Sequence, residues 1–151
     1  MANKWTSVSK LSVVLETGEQ RRETGSAYPD ERIGAVITVQ PTDDDGNPVE
    51  VTAQKLCESI SLIDYIDESD IPLKDSNSSK VLDWCYEKTN DITWREGRTP
   101  QIKYYVAHSG APKPRCKSIG LLVRTESGAL VFSSLNGTYH SSVQIVASSP
   151  K

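Results

Sequence analysis

A chain of 151 residues, 36% apolar and 25% charged, is the size of one ordinary domain, long enough to bury a core without disulfides or metals and too apolar to stay unfolded. Met1 to Ser7 lead into no continuous apolar run, and the roughly 18 apolar residues of a membrane span occur nowhere in a row, so neither a signal peptide nor a membrane partner is expected. The net charge of −3 conceals an asymmetry: residues 1–75 hold 7 Lys+Arg against 15 Asp+Glu (−8), whereas residues 76–151 hold 10 against 5 (+5).

Taken in chain order, 8–16 (VSKLSVVLE) reads as a strand that stops at Thr17-Gly18, and 32–40 (RIGAVITVQ) as a second. The latter ends at Pro41 and an acidic turn, Asp43 to Pro48, after which Val49 to Val51 can pair back. Leu56, Ile60 and Ile63 fall at i, i+4 and i+7, which predicts a helix from an N-cap at Thr52 to about Ile66. Asp67 to Asp70 and Pro72 stop it. Residues 74–80 form a loop, and Ser79 caps a short helix through Glu87 with Val81, Leu82 and Cys85 inward.

Four strands follow: 101–107, 115–124, 129–135 and 138–146. The last two are joined by Asn136-Gly137, the strongest short hairpin signal, with 135 opposite 138 and 132 opposite 141. That register puts Leu130, Phe132, Tyr139, Val143 and Ile145 on the core face. Ile119–Thr125 running into Glu126-Ser127-Gly128 is a further hairpin signature. The expected fold is a single compact α+β domain over 1–151, an antiparallel meander packed by one or two helices.

Most candidate sites fail on spacing. With Gly46 at the sixth position of a calcium loop, Pro41 and Thr52 fall where carboxylates are required, so the aspartates form a turn and not an ion site. Cys57, Cys85, Cys116, His108 and His140 stand at no ligand spacing, and neither a metal nor a cofactor is expected. Three widely spaced cysteines favour reduced thiols and a cytoplasmic setting. Cys116 lies between Arg115 and Lys117, but strand alternation turns it to the opposite face, as a small buried apolar residue.

The best functional feature is basic and aromatic. Trp94, Arg95, Arg98, Lys103, Tyr105, Lys113, Arg115 and Lys117 occur within 24 residues, with Glu96 as the one intervening acid. Lys103 and Tyr105 share a strand face and form an exposed pair, and Arg115 and Lys117 share another. His108 opens a loop with Gly110 and two prolines, of the kind that sets N–H groups and cations against an anion. Cations supply charge for phosphates, and Trp94 or Tyr105 supplies a π-face for a base. The leading expectation is a non-enzymatic module that binds a phosphate-bearing small molecule or short single-stranded nucleic acid through Arg95, Arg98, Lys103, His108, Lys113, Arg115 and Lys117. The alternative is a protein–protein module, inhibitory or self-assembling, whose oppositely charged halves meet a partner or a second copy. A hydrolase or transferase would need a nucleophile elbow or paired carboxylates, and neither pattern occurs.

Overall fold

The computed structural model describes residues 4–17, 20–28, 31–73, 84–89, 92–94, 99–108 and 115–148. Their chain order is β1 (Ser7–Thr17), β2 (Gln20–Arg22), β3 (Thr24–Ala27), β4 (Ile33–Thr42), α1 (Ala53–Ser59), β5 (Ile60–Asp64), β6 (Trp84–Glu87), β7 (Ile92–Trp94), β8 (Pro100–His108), β9 (Cys116–Arg124), β10 (Leu130–Ser133) and β11 (Val143–Ala147). One sheet runs β2-β1-β4-β8-β6 with β7 also on β8; the other runs β10-β9-β11-β3 with β5 also on β9. Leu11, Val13, Leu15, Ile37, Val39, Ile102 and Tyr104 of the first sheet share one buried cluster with Ile60, Leu62, Ile119, Leu121, Val123, Val143 and Ile145 of the second. The molecule is therefore a two-sheet β-sandwich, and the α+β expectation is corrected.

The first expected helix is cut short and the second gives way to a strand. Thr52 does cap a helix, its hydroxyl accepting from Lys55 N, but that helix ends after seven residues at Ser59. Ile60, Leu62 and Ile63 then pair with β9 as β5, antiparallel from Ile60 opposite Val123 to Asp64 opposite Ile119. Two or three helical turns have little stability of their own, so β-branched residues beside an apolar strand go to the sheet. Residues 79–83 lie outside the described residues, but 84–87 form β6 on β8 rather than a helix. There Trp84 packs its ring 5.2 Å from that of His108, and Tyr86 stacks 5.9 Å from Tyr104.

Two connections shape the sandwich. β2 and β3 are nearly continuous, yet β2 pairs antiparallel with β1 in one sheet and β3 parallel with β11 in the other. The chain thus changes sheets at Glu23. β9 carries β5 on one edge and divides the other: Leu121 to Arg124 pair with β10, and Cys116 to Ile119 pair with β11. Gly120 stands at the handover. A Cβ there would lie 2.1 Å from the carbonyl oxygen of Ser133, where β10 leaves the sheet.

That crossing also displaces the expected Asn136-Gly137 hairpin. Tyr139 forms a parallel bridge to Ser133, with Tyr139 N donating to Phe132 O and Ser134 N to Tyr139 O. Neither Asn136 nor Gly137 takes the positive φ that a two-residue hairpin of this kind needs. β10 is rotated accordingly: Ser133 is buried and Val131 packs on the core, while Leu130, assigned inward from the hairpin register, is exposed. The β9–β10 turn does form as a hairpin, with Thr125 N on Ala129 O and Gly128 at φ +89.

The two glycines separate crowding from conformation. Gly120→Ala drives a methyl into backbone that cannot yield freely and is expected to cost about 3 kcal/mol. Gly128→Ala meets nothing within 4 Å, carries only the left-handed backbone penalty, and is expected to cost about 1–2 kcal/mol. Urea denaturation of the two variants beside the parent measures the difference. Equal losses would show that the chain crossing at Gly120 is not tight.

Candidate functional site

The acidic and basic halves of the sequence do not form separate regions, because each sheet contains strands of both. β1, β2 and β4 lie beside β6, β7 and β8 in one sheet, and β3 and β5 beside β9, β10 and β11 in the other. Each ion pair described joins a residue of the first half to one of the second: Arg32–Glu87, Lys55–Glu126, Lys103–Glu16 and Lys117–Asp64.

On the outer face of the β1–β4–β8–β6 sheet, Glu16, Gly34, Tyr105 and Glu87 stand opposite one another across four strands. Gly34 leaves a notch: a Cβ there would fall 2.6 Å from Lys103 Cε. Lys103 crosses that notch to form a short ion pair with Glu16, whose hydrogen bond raises the lysine pKa. Arg32 lies 4.2 Å from the centre of the Tyr105 ring and 3.3 Å from Glu87, and Lys103 Nζ lies 5.5 Å from the same ring. Lys103 and Tyr105 do share a face, as alternation requires. They are half-buried members of a salt-bridged row, not an exposed pair.

Arg115 and Lys117 are also placed apart in role. Arg115 is exposed and donates to Ala147 O at 3.2 Å. Lys117 is largely buried against Asp64 at 2.7 Å, the side chains being 14% and 13% exposed. Burial pushes the Asp64 carboxyl up, but Lys117 and the N–H groups of Asp67 and Ile66 more than offset it and hold its pKa below the usual value. Cys116 is exposed, which corrects its assignment as a buried residue: at this end of β9 the inward position belongs to the Lys117–Asp64 pair.

His108 is the last residue of β8 and is fully buried. Its Nε2 sits 2.7 Å from Ala27 O; a carbonyl only accepts, so Nε2 carries the proton and links one sheet to the other. Arg95, Arg98 and Lys113 lie outside the described residues, as does the side chain of Trp94, whose backbone stands opposite Pro100 in β7. Among the described residues no group of three His, Cys, Asp or Glu side chains could hold a metal. No helix of the described residues is long and apolar enough to cross a membrane. The aspartate turn closes on itself: Asp43 Oδ1 accepts from Asp45 N and Asn47 N, with Gly46 at φ +82.

Two surface features stand outside the basic set. The first joins the loop after β5 to the loop after β10. Leu135 N donates to Tyr65 O, Ser134 Oγ to Glu68 Oε2 at 2.5 Å, and Tyr65 Oη to His140 O at 3.3 Å. Glu68 holds φ 64 in this arrangement. The loops so fixed display Ile66 and Leu135, 55% and 52% exposed. The second is an open groove of about 720 Å³ lined by Pro41, Pro48, Val49, Glu50 and Pro100 among others. Neither follows from sequence spacing, since each is assembled from segments far apart in the chain.

No protein-family model matches the sequence, and no curated protein matches it. Among solved structures, the chain is similar to the BIgI domain of beta protein from S. agalactiae bound to CEACAM1, at 10% identity and a TM-score of 0.38, over 94% of this chain and 100% of that one. A likeness this slight carries neither fold detail nor partner to the present chain.

The Lys117–Asp64 pair sets a pH dependence. A carboxylate whose folded pKa is lowered contributes stability above the unfolded value, and that contribution disappears as pH falls through the folded one. Asp64→Asn is therefore expected to cost about 2–3 kcal/mol at pH 7. The gap from the parent should close progressively on acidification below about pH 4. Urea titrations at pH 7, 5 and 3 measure it; a gap that stays constant with pH would remove the ion pair as its cause.

Proposed function

We propose that the chain is a non-enzymatic protein-interaction domain. The observation that carries this reading is the Ile66–Leu135 loop pair. Scattered exposed apolar residues are ordinary on any surface. Here the loops that carry them, far apart in sequence, are joined by backbone and side-chain hydrogen bonds, Leu135 N on Tyr65 O and Ser134 Oγ on Glu68 Oε2, with Glu68 at positive φ. Pre-ordered apolar side chains on fixed loops lose little entropy on association, which is what favours them as contact points.

The charge distribution supports the same reading over the phosphate-binding one. Lys103 and Lys117 each hold a carboxylate, and His108 is buried between the sheets. A phosphate would have to displace Glu16 or Asp64 to use those lysines. Self-assembly through oppositely charged halves also loses support, because both sheets mix strands of the two halves and the charges are not segregated. Protein contact through apolar loop residues needs neither.

A photo-cross-linking residue at position 135, in cells that make the chain, is expected to give a discrete adduct with another protein. The same group at Thr24, on the exposed face of β3, should give none. Ile66→Asp should reduce the adduct about tenfold, the effect of losing one interface contact of about 1.4 kcal/mol. Calorimetry of the folded protein with ATP and with a thymidine dodecamer should show no saturable heat. Saturable nucleotide binding that Arg115→Glu abolishes, with no adduct at position 135, would overturn the proposal.

A further inference from the structure

Resting on that reading, we infer that the outward face of β5, β9 and β10 pairs with the same face of a second copy of this chain about a two-fold axis. Alternation fixes which residues make that face. Leu121 and Val123 are fully buried in the core, so Leu122 and Arg124 point outward. They stand opposite Phe132 and Leu130 of β10, and Ser61 of β5 lies opposite Leu122 on the other edge. Leu130 is 49% exposed, and Leu122 and Phe132 are half-buried. Arg124 is exposed and is the one charged residue among the outward positions of these three strands.

The outer face of the other sheet is occupied by its own ion pairs, Glu16–Lys103 and Arg32–Glu87. This face is covered at one end only. Ile63 points outward opposite Gly120 and is nevertheless fully buried, as the two joined loops lie over that end. A Cβ on Gly120 would fall 3.3 Å from Tyr65 Cδ1, and one on Gly137 would fall 2.8 Å from Phe132 Cβ. The turn 134–137, which carries the exposed Leu135, therefore stands on the face beside Phe132. Beyond it, Leu122 and Leu130 form an open apolar floor.

A raised end beside an open floor is complementary to itself. A two-fold axis sets residue i of one copy against residue j of the other, and j against i. Turned end to end, each copy rests its raised turn on the floor of its partner. Charge selects the same arrangement. Asp67, exposed on the raised end, holds Ser69 through Oδ1, and Arg124 marks the floor end. Nearby charges are engaged within the molecule: Lys55 pairs with Glu126, Glu58 holds Gln54, and Glu68 holds Ser134. End-to-end packing meets Asp67 with Arg124 twice in each dimer, whereas packing the faces in the same direction would set like charge on like. The contact is local to one face and needs no segregated halves.

Sedimentation equilibrium of the folded chain over a concentration series tests the pairing, and a monomer–dimer equilibrium is expected. Arg124→Asp and Asp67→Arg, both at exposed positions, should each weaken it about tenfold with the melting temperature unchanged. The double variant, which exchanges the two charges, should restore it. Leu130→Asp should weaken the dimer as well. Val146→Asp, exposed on β11 of the same sheet and away from the contact, should leave it intact. A chain that stays monomeric, a dimer indifferent to Arg124→Asp, or a charge exchange that fails to restore it overturns the inference. So does a dimer that forms only once residues 1–3 are removed, which assigns the face to the chain's own first residues. A monomer that still forms the adduct at position 135 with a different protein overturns this inference alone, and a monomer with no adduct overturns both.

Discussion

The close passage of the chain over Gly120 is the constraint on which most of the second sheet depends. One edge of β9 has to serve two strands, and it can do so only where a side chain is missing. Ser133 leaves at that point, with its carbonyl in the space a Cβ would fill. The segment from Ser134 to Ser142 is thereby lifted off the sheet edge and laid against other parts of the molecule. Tyr139 Oη donates to Val8 O, and the Ser141 hydroxyl accepts from Val13 N. Both contacts fall on the edge of β1 that β2 leaves uncovered. Leu135 reaches Tyr65 from the same excursion, so the apolar loop pair is a consequence of the handover.

Interleaving of the two halves follows from the same long-range pairing. An acidic segment and a basic segment could have produced a polarised molecule had each folded on its own. Instead β4 pairs with β8 in one sheet, and β5 with β9 and β3 with β11 in the other, which brings charges of the two halves into reach of one another across strands. The gain per exposed pair is small, typically about 0–1 kcal/mol. The effect on the electrostatic surface is larger, because Lys103 and Lys117 turn from ligand candidates into framework.

How much of this was legible in the sequence depends on the range of the interaction. Alternation within a strand is local, and 8–16, 32–40, 101–107 and 115–124 each form strands close to the limits their patterns imply. The caps and turns at Thr52, Gly46 and Gly128 are equally local. Leu56, Ile60 and Ile63 fit a helical stripe, but Ile60, Leu62 and Ile63 also fit a strand; β9 decides between them, and β9 is 60 residues away in sequence. Asn136-Gly137 has the right residues for a tight hairpin, yet the partner edge was already taken by the crossing at Gly120. The candidate site suffered most. Which cation is exposed depends on which carboxylate stands across the sheet, and no spacing within 94–117 contains Glu16 or Asp64.

The management of sheet edges narrows how such a molecule can recognise another. An open strand edge is a template for adding a partner strand. Here β1 is covered by β2, Tyr139 and Ser141; β5 receives Ile71 N on Leu62 O, and β6 donates Tyr86 N to Pro72 O. β2 and β3, three and four residues long, offer little length for strand addition. Strand addition at these edges is therefore disfavoured. The same economy accounts for the groove: β8 leaves β4 beyond Thr38 while β1 follows it to Thr42, and Pro41 and Pro100 deny the open side donors for a regular ladder.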